Sequence, residues 1–155
     1  MTNYWLFKSE PDSYSIDDLA REKKQTTHWH GVRNYQARNL LRDAMHVGDR
    51  VLFYHSSAAP PAIVGLGKIV RAGYPDDSAL DPSSHYFDEK STDAAPRWYM
   101  VDIQLERKFA RPLPLEDLRP VAALRAMELL RKGSRLSVQP VRKTEFDAIL
   151  KLAAK

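Results

Sequence analysis

Five runs of strand-forming residues constrain the fold of this 155-residue chain more than anything else in it. YWLFKS (residues 4–9), RVLFYHS (50–56), AIVGLGKIVRAG (62–73), RWYMVDIQLERKF (97–109) and RLSVQPV (135–141) are rich in β-branched and aromatic side chains. In the fourth run Trp98 and Met100 alternate with Tyr99 and Val101, as a long half-buried strand requires. Gly65 and Gly67 fall on one face of the third, where a curved sheet or a close neighbour can use the missing side chains. Helical segments lie around these runs. SIDDLAREK predicts a helix from Ser15, with Asp17 and Asp18 in its first turn and Arg21, Lys23 and Lys24 late, matching the helix dipole. A second helix starts near Asn34 as N-cap. It buries Ala37, Leu40 and Leu41, turns Arg38 and Arg42 to a polar face, and closes at residues 46–49. PLEDL and LRAMELLRKG read as short helices, the latter ended by Gly133. TEFDAILKLAAK reads as a terminal amphipathic helix capped by Thr144, and residues 74–96 as a long polar loop. The expected architecture is one α+β domain over residues 1–155: a small, curved, mostly antiparallel, partly closed β-barrel wrapped by helices.

Composition narrows the function. No apolar run approaches the ~20 residues of a membrane span, and the N-terminus has no signal-peptide pattern, so no membrane partner is expected. With no cysteine there is neither a disulfide nor a thiolate metal site, which suits a reducing cytosol. Residues 74–93 carry six acids against Lys90, a net of −5, which leaves +9 for the rest of a chain whose total is +4. A basic body with one acidic loop is compatible with a nucleic-acid partner.

Several chemistries can be set aside. His28 and His30 flank Trp29, but zinc needs further ligands and no HExxH or acidic cluster accompanies them. No G-x-S-x-G elbow is present, and Gly65 and Gly67 lack the remainder of a dinucleotide fingerprint. No cofactor, metal or catalytic residue is therefore expected. What remains is a set of residues at strand ends or in adjacent turns: Lys8, Ser9 and Glu10; Trp29, Gly31, Val32, Arg33 and Asn34; Tyr54, His55 and Ser56; Trp98; Arg135 and Ser137. Strand ends of a small barrel converge on a mouth. Aromatic faces with Ser, Asn and backbone groups suit a planar heterocycle. Trp5 reads as core, whereas Trp29, in a polar turn beside Gly31, reads as a pocket wall.

The blocks YWLFKSEPDSYSIDDL, W-x-GVRNYQARNLLR, GDRVLFYHS, YFDEKS, PRWYMVDI and RLSVQPV, in this order over essentially the whole chain, resemble the EVE domain family. The resemblance implies a PUA-like fold, akin to YTH readers of N6-methyladenine and to ASCH domains. It also implies binding of RNA or DNA that carries a modified base; a small heterocyclic ligand is the other partner that the residues at the mouth suit. On that likeness Lys8 and Ser9 line the base pocket, Trp29 is a cage wall, and Arg33 and Asn34 contact phosphate and base edge. Tyr54, His55 and Ser56 face that turn, and Ser137 closes the pocket. Lacking the long basic N-terminal extension of the family's nuclear members, the chain is expected in a bacterial cytosol, as a monomer. A base that leaves its stack gains ~1–3 kcal/mol on an aromatic face, with little preference among bases. Discrimination then falls to Asn34, Ser9 and the backbone of the VRN turn, and phosphate affinity to Arg33, Arg38 and Arg42. Two rivals are an ASCH-like hydrolase of modified nucleosides using Lys8 and Glu10, and a protein-interaction module.

Overall fold

The structure, a computed structural model, describes residues 2–155. Six strands form one sheet: β1 (Tyr4–Ser9), β2 (Thr26–Trp29), β3 (Arg50–His55), β4 (Ala62–Pro75), β5 (Tyr99–Pro114) and β6 (Val138–Val141). The helices are α1 (Ile16–Arg21), α2 (Tyr35–Asn39, prolonged by a π-helical turn over Leu40–Ala44), α3 (Leu115–Leu118) and α4 (Lys143–Ala153). Capping decides where the first two begin. The Ser15 hydroxyl accepts from Asp18 N–H at 3.1 Å while Asp18 accepts from Ser15 N–H at 2.8 Å. The Asn34 side chain accepts from Ala37 N–H at 2.9 Å.

Strand order is β2-β5-β4-β3-β1-β6. β1 and β3 run parallel, with Phe7 opposite Phe53, and every other neighbouring pair is antiparallel. The expected α+β class and mostly antiparallel pairing hold. The expected closure does not, because β2 and β6 end the sheet without pairing to each other. Both end strands have only four residues, and the bulges that bend β4 against β5 curve the sheet without bringing those ends together. Gly65 and Gly67 of β4 serve close approach: a Cβ on Gly65 would meet Ile16 at 2.3 Å and the Arg107 carbonyl at 2.6 Å, and one on Gly67 the Gln104 carbonyl at 3.0 Å.

One strand is unforeseen and two local expectations fail, each for an identifiable reason. Thr26–Trp29, a polar TTHW segment with no apolar alternation, becomes a strand because β5 pairs with it, Trp29 lying opposite Val101. LRAMELLRKG forms only single 3₁₀ turns, which bury Leu124, Met127 and Leu129 at a spacing unsuited to a continuous helix. Thr144 does not cap α4; the Glu145 carboxylate instead accepts from Arg142 N–H at 2.8 Å.

The sheet separates two cores. Trp5, Phe7, Val51, Phe53, Ile103 and Val138 pack with α1 and α2 on one face. Leu6, Leu52, Tyr54, Ile63, Phe109 and Leu113 pack with α3, α4 and the 3₁₀ turns on the other.

Candidate ligand cavity

A cavity of about 560 Å³ opens where the end of β1, the β2–α2 turn and the 76–98 loop meet. Sheet pairing presents its floor. Lys8 N–H donates to Ser137 C=O at 2.8 Å, so both residues face the cavity from adjacent segments. The Ser9 hydroxyl donates to Tyr14 C=O, which leaves its oxygen lone pairs for a ligand. Trp29, at the end of β2, is half-buried. Its ring sits 5.2 Å from Phe7, edge-on to Phe53 at 5.5 Å and to Tyr14 at 6.4 Å, so the core fixes one side of the indole and the cavity takes another.

The turn after Trp29 is tied to the acidic loop. Gly31 has φ +82°, and a Cβ there would lie 2.7 Å from the Tyr86 ring, so the absent side chain is what lets Tyr86 cover the turn. Gly31 N–H donates to the buried Asp76 carboxylate at 2.8 Å, and Arg33 reaches the same oxygen at 3.1 Å. Arg33 also donates to Tyr86 C=O at 2.6 Å and lies over the Tyr86 and Trp98 rings at 5.6 and 5.2 Å. Burial pushes the Asp76 carboxyl up, but hydrogen bonds from Ser78, Gly31 and Arg33 outweigh it and hold the group ionised below its ordinary range. Arg33 is thus a clamp between turn and loop, its charge spent largely on Asp76.

Two titratable groups of the wall are perturbed. Lys8 is half-buried and makes no ion pair among the described residues; desolvation lowers its pKa, with Glu128 opposing. Tyr14 is pushed up to about 12, chiefly by burial, and donates to Glu22 at 2.9 Å.

Of the residues expected in the site, Lys8, Ser9, Glu10, Trp29, Gly31, Val32, Arg33 and Ser137 line the cavity. The others do not. Asn34 commits its oxygen to the α2 cap. Tyr54 points through the sheet into the opposite core, because neighbours on a strand face opposite ways. His55 accepts from Ile16 N–H at 3.1 Å, and burial lowers its pKa. Ser56 N–H donates to Ser9 C=O, which continues the β1–β3 ladder beyond its last paired residues. Trp98 is buried, stacked on Tyr35 at 4.9 Å, and donates to Asp88 at 2.7 Å. Arg135 is exposed and lies off the cavity. Arg38 and Arg42 also lie off it: Arg38 donates to Arg97 C=O at 3.0 Å, and Arg42 makes two 2.8 Å bonds to Asp43.

Sequence reasoning missed Tyr14, Thr27, His85 and Tyr86 as lining residues, and took His28 and His30 only as possible metal ligands. Tyr86 stands in the YFDEKS block, but a loop residue has no periodicity to announce where it points. Instead of converging on a metal position, His28 turns to Asp102 at 3.0 Å and the His30 ring meets Tyr86 edge-on at 5.3 Å.

An open, mostly antiparallel sheet with a cavity at its strand ends is a small α+β domain. The chain belongs to the EVE domain family, whose domain matches residues 3–152. Among curated relatives, mouse thymocyte nuclear protein 1 is 45% identical over 98% of this chain and 74% of its own. A crystal structure from Pseudomonas putida superposes with a TM-score of 0.91 at 51% identity, covering 97% of this chain and 99% of that one. Human THYN1, in a crystal structure in complex with 5-methylcytosine-containing DNA, superposes with a TM-score of 0.93 at 42% identity and covers 99% of both chains. An ASCH protein from Zymomonas mobilis, at 11% identity and TM-score 0.56 over 97% of this chain and 98% of its own, shares the fold alone.

Proposed function

We propose that this chain binds nucleic acid through a modified base seated in the cavity beside Trp29. The observation that carries the reading is the position of that indole, braced by Phe7 and Phe53 on the core side and open to the cavity on the other. A braced ring loses no freedom when a base stacks on it, so the ~1–3 kcal/mol of stacking is not offset by ordering the wall. Stacking does not identify the base. A methyl group buried in an apolar wall adds only ~0.8 kcal/mol. Stronger selection needs polar groups that a wrong base leaves unpaired, and Ser9, Ser137 and the unpaired Lys8 supply them. The human relative's complex makes 5-methylcytosine DNA the first ligand to test, with RNA of the same sequence beside it.

The test is fluorescence anisotropy with paired oligonucleotides that differ only in the 5-methyl group. Wild-type protein should favour the methylated strand. Trp29→Ala, once circular dichroism shows it folded, should lose ~1–3 kcal/mol and the preference together. A folded Trp29→Ala variant that keeps full discrimination moves the base out of this cavity.

A second reading rests on one observation: Lys8 and Glu10 line the same cavity, and burial lowers the Lys8 pKa. An amine whose pKa burial lowers, lining the same cavity as a carboxylate, suits hydrolysis of a modified nucleoside. Mass spectrometry after long incubation separates the two. Unchanged nucleosides support binding alone; turnover abolished in both Lys8→Ala and Glu10→Ala supports the hydrolase.

A further inference from the structure

His28, on the end strand β2, is held from two sides although its side chain is 65% exposed. Strand register places it opposite Asp102 of β5, and Tyr74 reaches the same point from β4. Nδ1 lies 3.0 Å from the Asp102 carboxylate and 3.1 Å from the Tyr74 hydroxyl oxygen, while Tyr74 O–H itself donates to Asp102. This fixes the tautomer. The phenol has a single hydrogen and spends it on Asp102; an ionised carboxylate has none to give. Nδ1 therefore faces two oxygen acceptors, and in the neutral ring it must be the N–H. Burial and the Asp102 hydrogen bond both push the Tyr74 pKa up, keeping it a phenol, and the Arg71 guanidinium lies 3.6 Å from its ring centroid.

Nε2 is left without a partner among the described residues, on a side chain that lines the cavity. A free surface imidazole exchanges tautomers and rotates, so a three-residue lock on an exposed ring needs a reason beyond packing. We propose that His28 contacts the ligand, with Nε2 held by Asp102 and Tyr74 as a fixed hydrogen-bond acceptor for an N–H or O–H donor of the bound nucleotide. The inference rests on reading the cavity as a nucleotide site. Two sources offer such a donor at the cavity mouth: the exocyclic amino group of a base, and a ribose 2′-hydroxyl. Asp102 and Tyr74 are positioning residues.

Nitrogen-15 NMR of the imidazole, before any ligand is added, should show Nδ1 protonated and Nε2 bare in wild type, and loss of that bias in Asp102→Asn. Anisotropy with the 5-methylcytosine oligonucleotide, run as DNA and as RNA, should then show His28→Phe about fivefold weaker on at least one of the two strands, the share of one hydrogen bond. His28→Gln, which keeps an acceptor at similar reach, should stay within about twofold. The source follows from the choice of strand. If the donor is the amine, the His28→Phe loss disappears with thymine in place of 5-methylcytosine. If it is the 2′-hydroxyl, the loss appears only with the RNA strand. Nε2 protonated in the free protein, or His28→Phe binding every strand as wild type does, overturns the proposal. A loss in His28→Phe with none in folded Trp29→Ala would instead keep His28 as a contact and remove the base from the cavity.

Discussion

The two faces of the sheet are built from alternate residues of the same strands, yet only one is finished. On β1 and β3, Leu6, Leu52 and Tyr54 turn one way, and Trp5, Phe7, Val51 and Phe53 the other. The first face is closed by α4 and the 3₁₀ turns, which bring Phe146, Ile149, Leu124 and Met127 against the strands. The second is covered by α1 and α2 but stops short at the strand ends, where Trp29 stays half-buried beside the cavity. The contrast teaches that a cavity arises here by leaving a core incomplete at one corner. The closed face stabilises the sheet that holds the open corner in shape.

The largest effect should therefore come from the finished face. Phe146 is fully buried, 4.6 Å from the Tyr4 ring, with Arg50 over it at 4.9 Å. Phe146→Ala should cost ~3–5 kcal/mol in urea unfolding, through lost burial and the cavity left behind. Where the variant still folds, ligand affinity should be unchanged. If Phe146→Ala costs less than Trp29→Ala, the order of the two faces is reversed.

The next test acts on the open corner through its backbone. Gly31→Ala puts a side chain at φ +82° and pushes a methyl group into the Tyr86 ring. The left-handed conformation costs ~1–2 kcal/mol, and displacing the exposed Tyr86 should weaken binding as well. Wild-type affinity in Gly31→Ala would show that Tyr86 is not a wall for the ligand.

How much of this contrast could be read from the sequence follows from the physics of each element. Alternation and capping are local, so five strands and the starts of α1 and α2 were legible, Ser15 and Asn34 included. Strand β2 was not, since its conformation is imposed by β5 across a polar segment. Within the site, Lys8, Ser9, Glu10 and the Trp29–Arg33 turn were reached by placing strand ends together, which only approximates which face a side chain takes. Tyr54 and Trp98 fail on that point. Tyr54 lies one residue out of phase with Phe53, and Trp98 spends its N–H on Asp88. Tyr86 could not be found at all, because its position depends on Arg33 and Asp76 tying a distant loop to the turn.

A smaller effect of opposite sign should come from Lys8, a half-buried charge at the open corner that makes no ion pair among the described residues. Its pKa is lowered by burial, so the folded state binds its proton less readily than the unfolded chain. The charged form therefore costs stability at neutral pH, and that cost fades as pH rises from the folded value towards 10.5. Lys8→Met should raise the urea midpoint at pH 7 and raise it less at pH 10. It should also weaken the ligand. A Lys8→Met variant less stable than wild type at pH 7 would show that this amine has a partner the structure does not reveal.

The smallest effects lie outside both cores, on the helix that covers the open face. Arg38 and Arg42 sit one turn apart on that segment, but their surroundings differ. Arg42 is bound twice by Asp43, whose pKa it lowers, so its charge is largely neutralised before any phosphate arrives. Arg38 makes no salt bridge among the described residues; it donates to a backbone carbonyl and lies over the Tyr35 ring at 4.8 Å. Neither substitution should change stability measurably, as is usual for surface side chains. Salt dependence separates them. Arg38→Ala should flatten the log–log slope of binding by up to ~0.7 for one single-strand phosphate contact, and Arg42→Ala by much less. Equal slope changes would mean that Asp43 releases Arg42 on binding. No change for Arg38→Ala would place the phosphate track elsewhere than α2, with the open corner then gripping its ligand through the cavity alone.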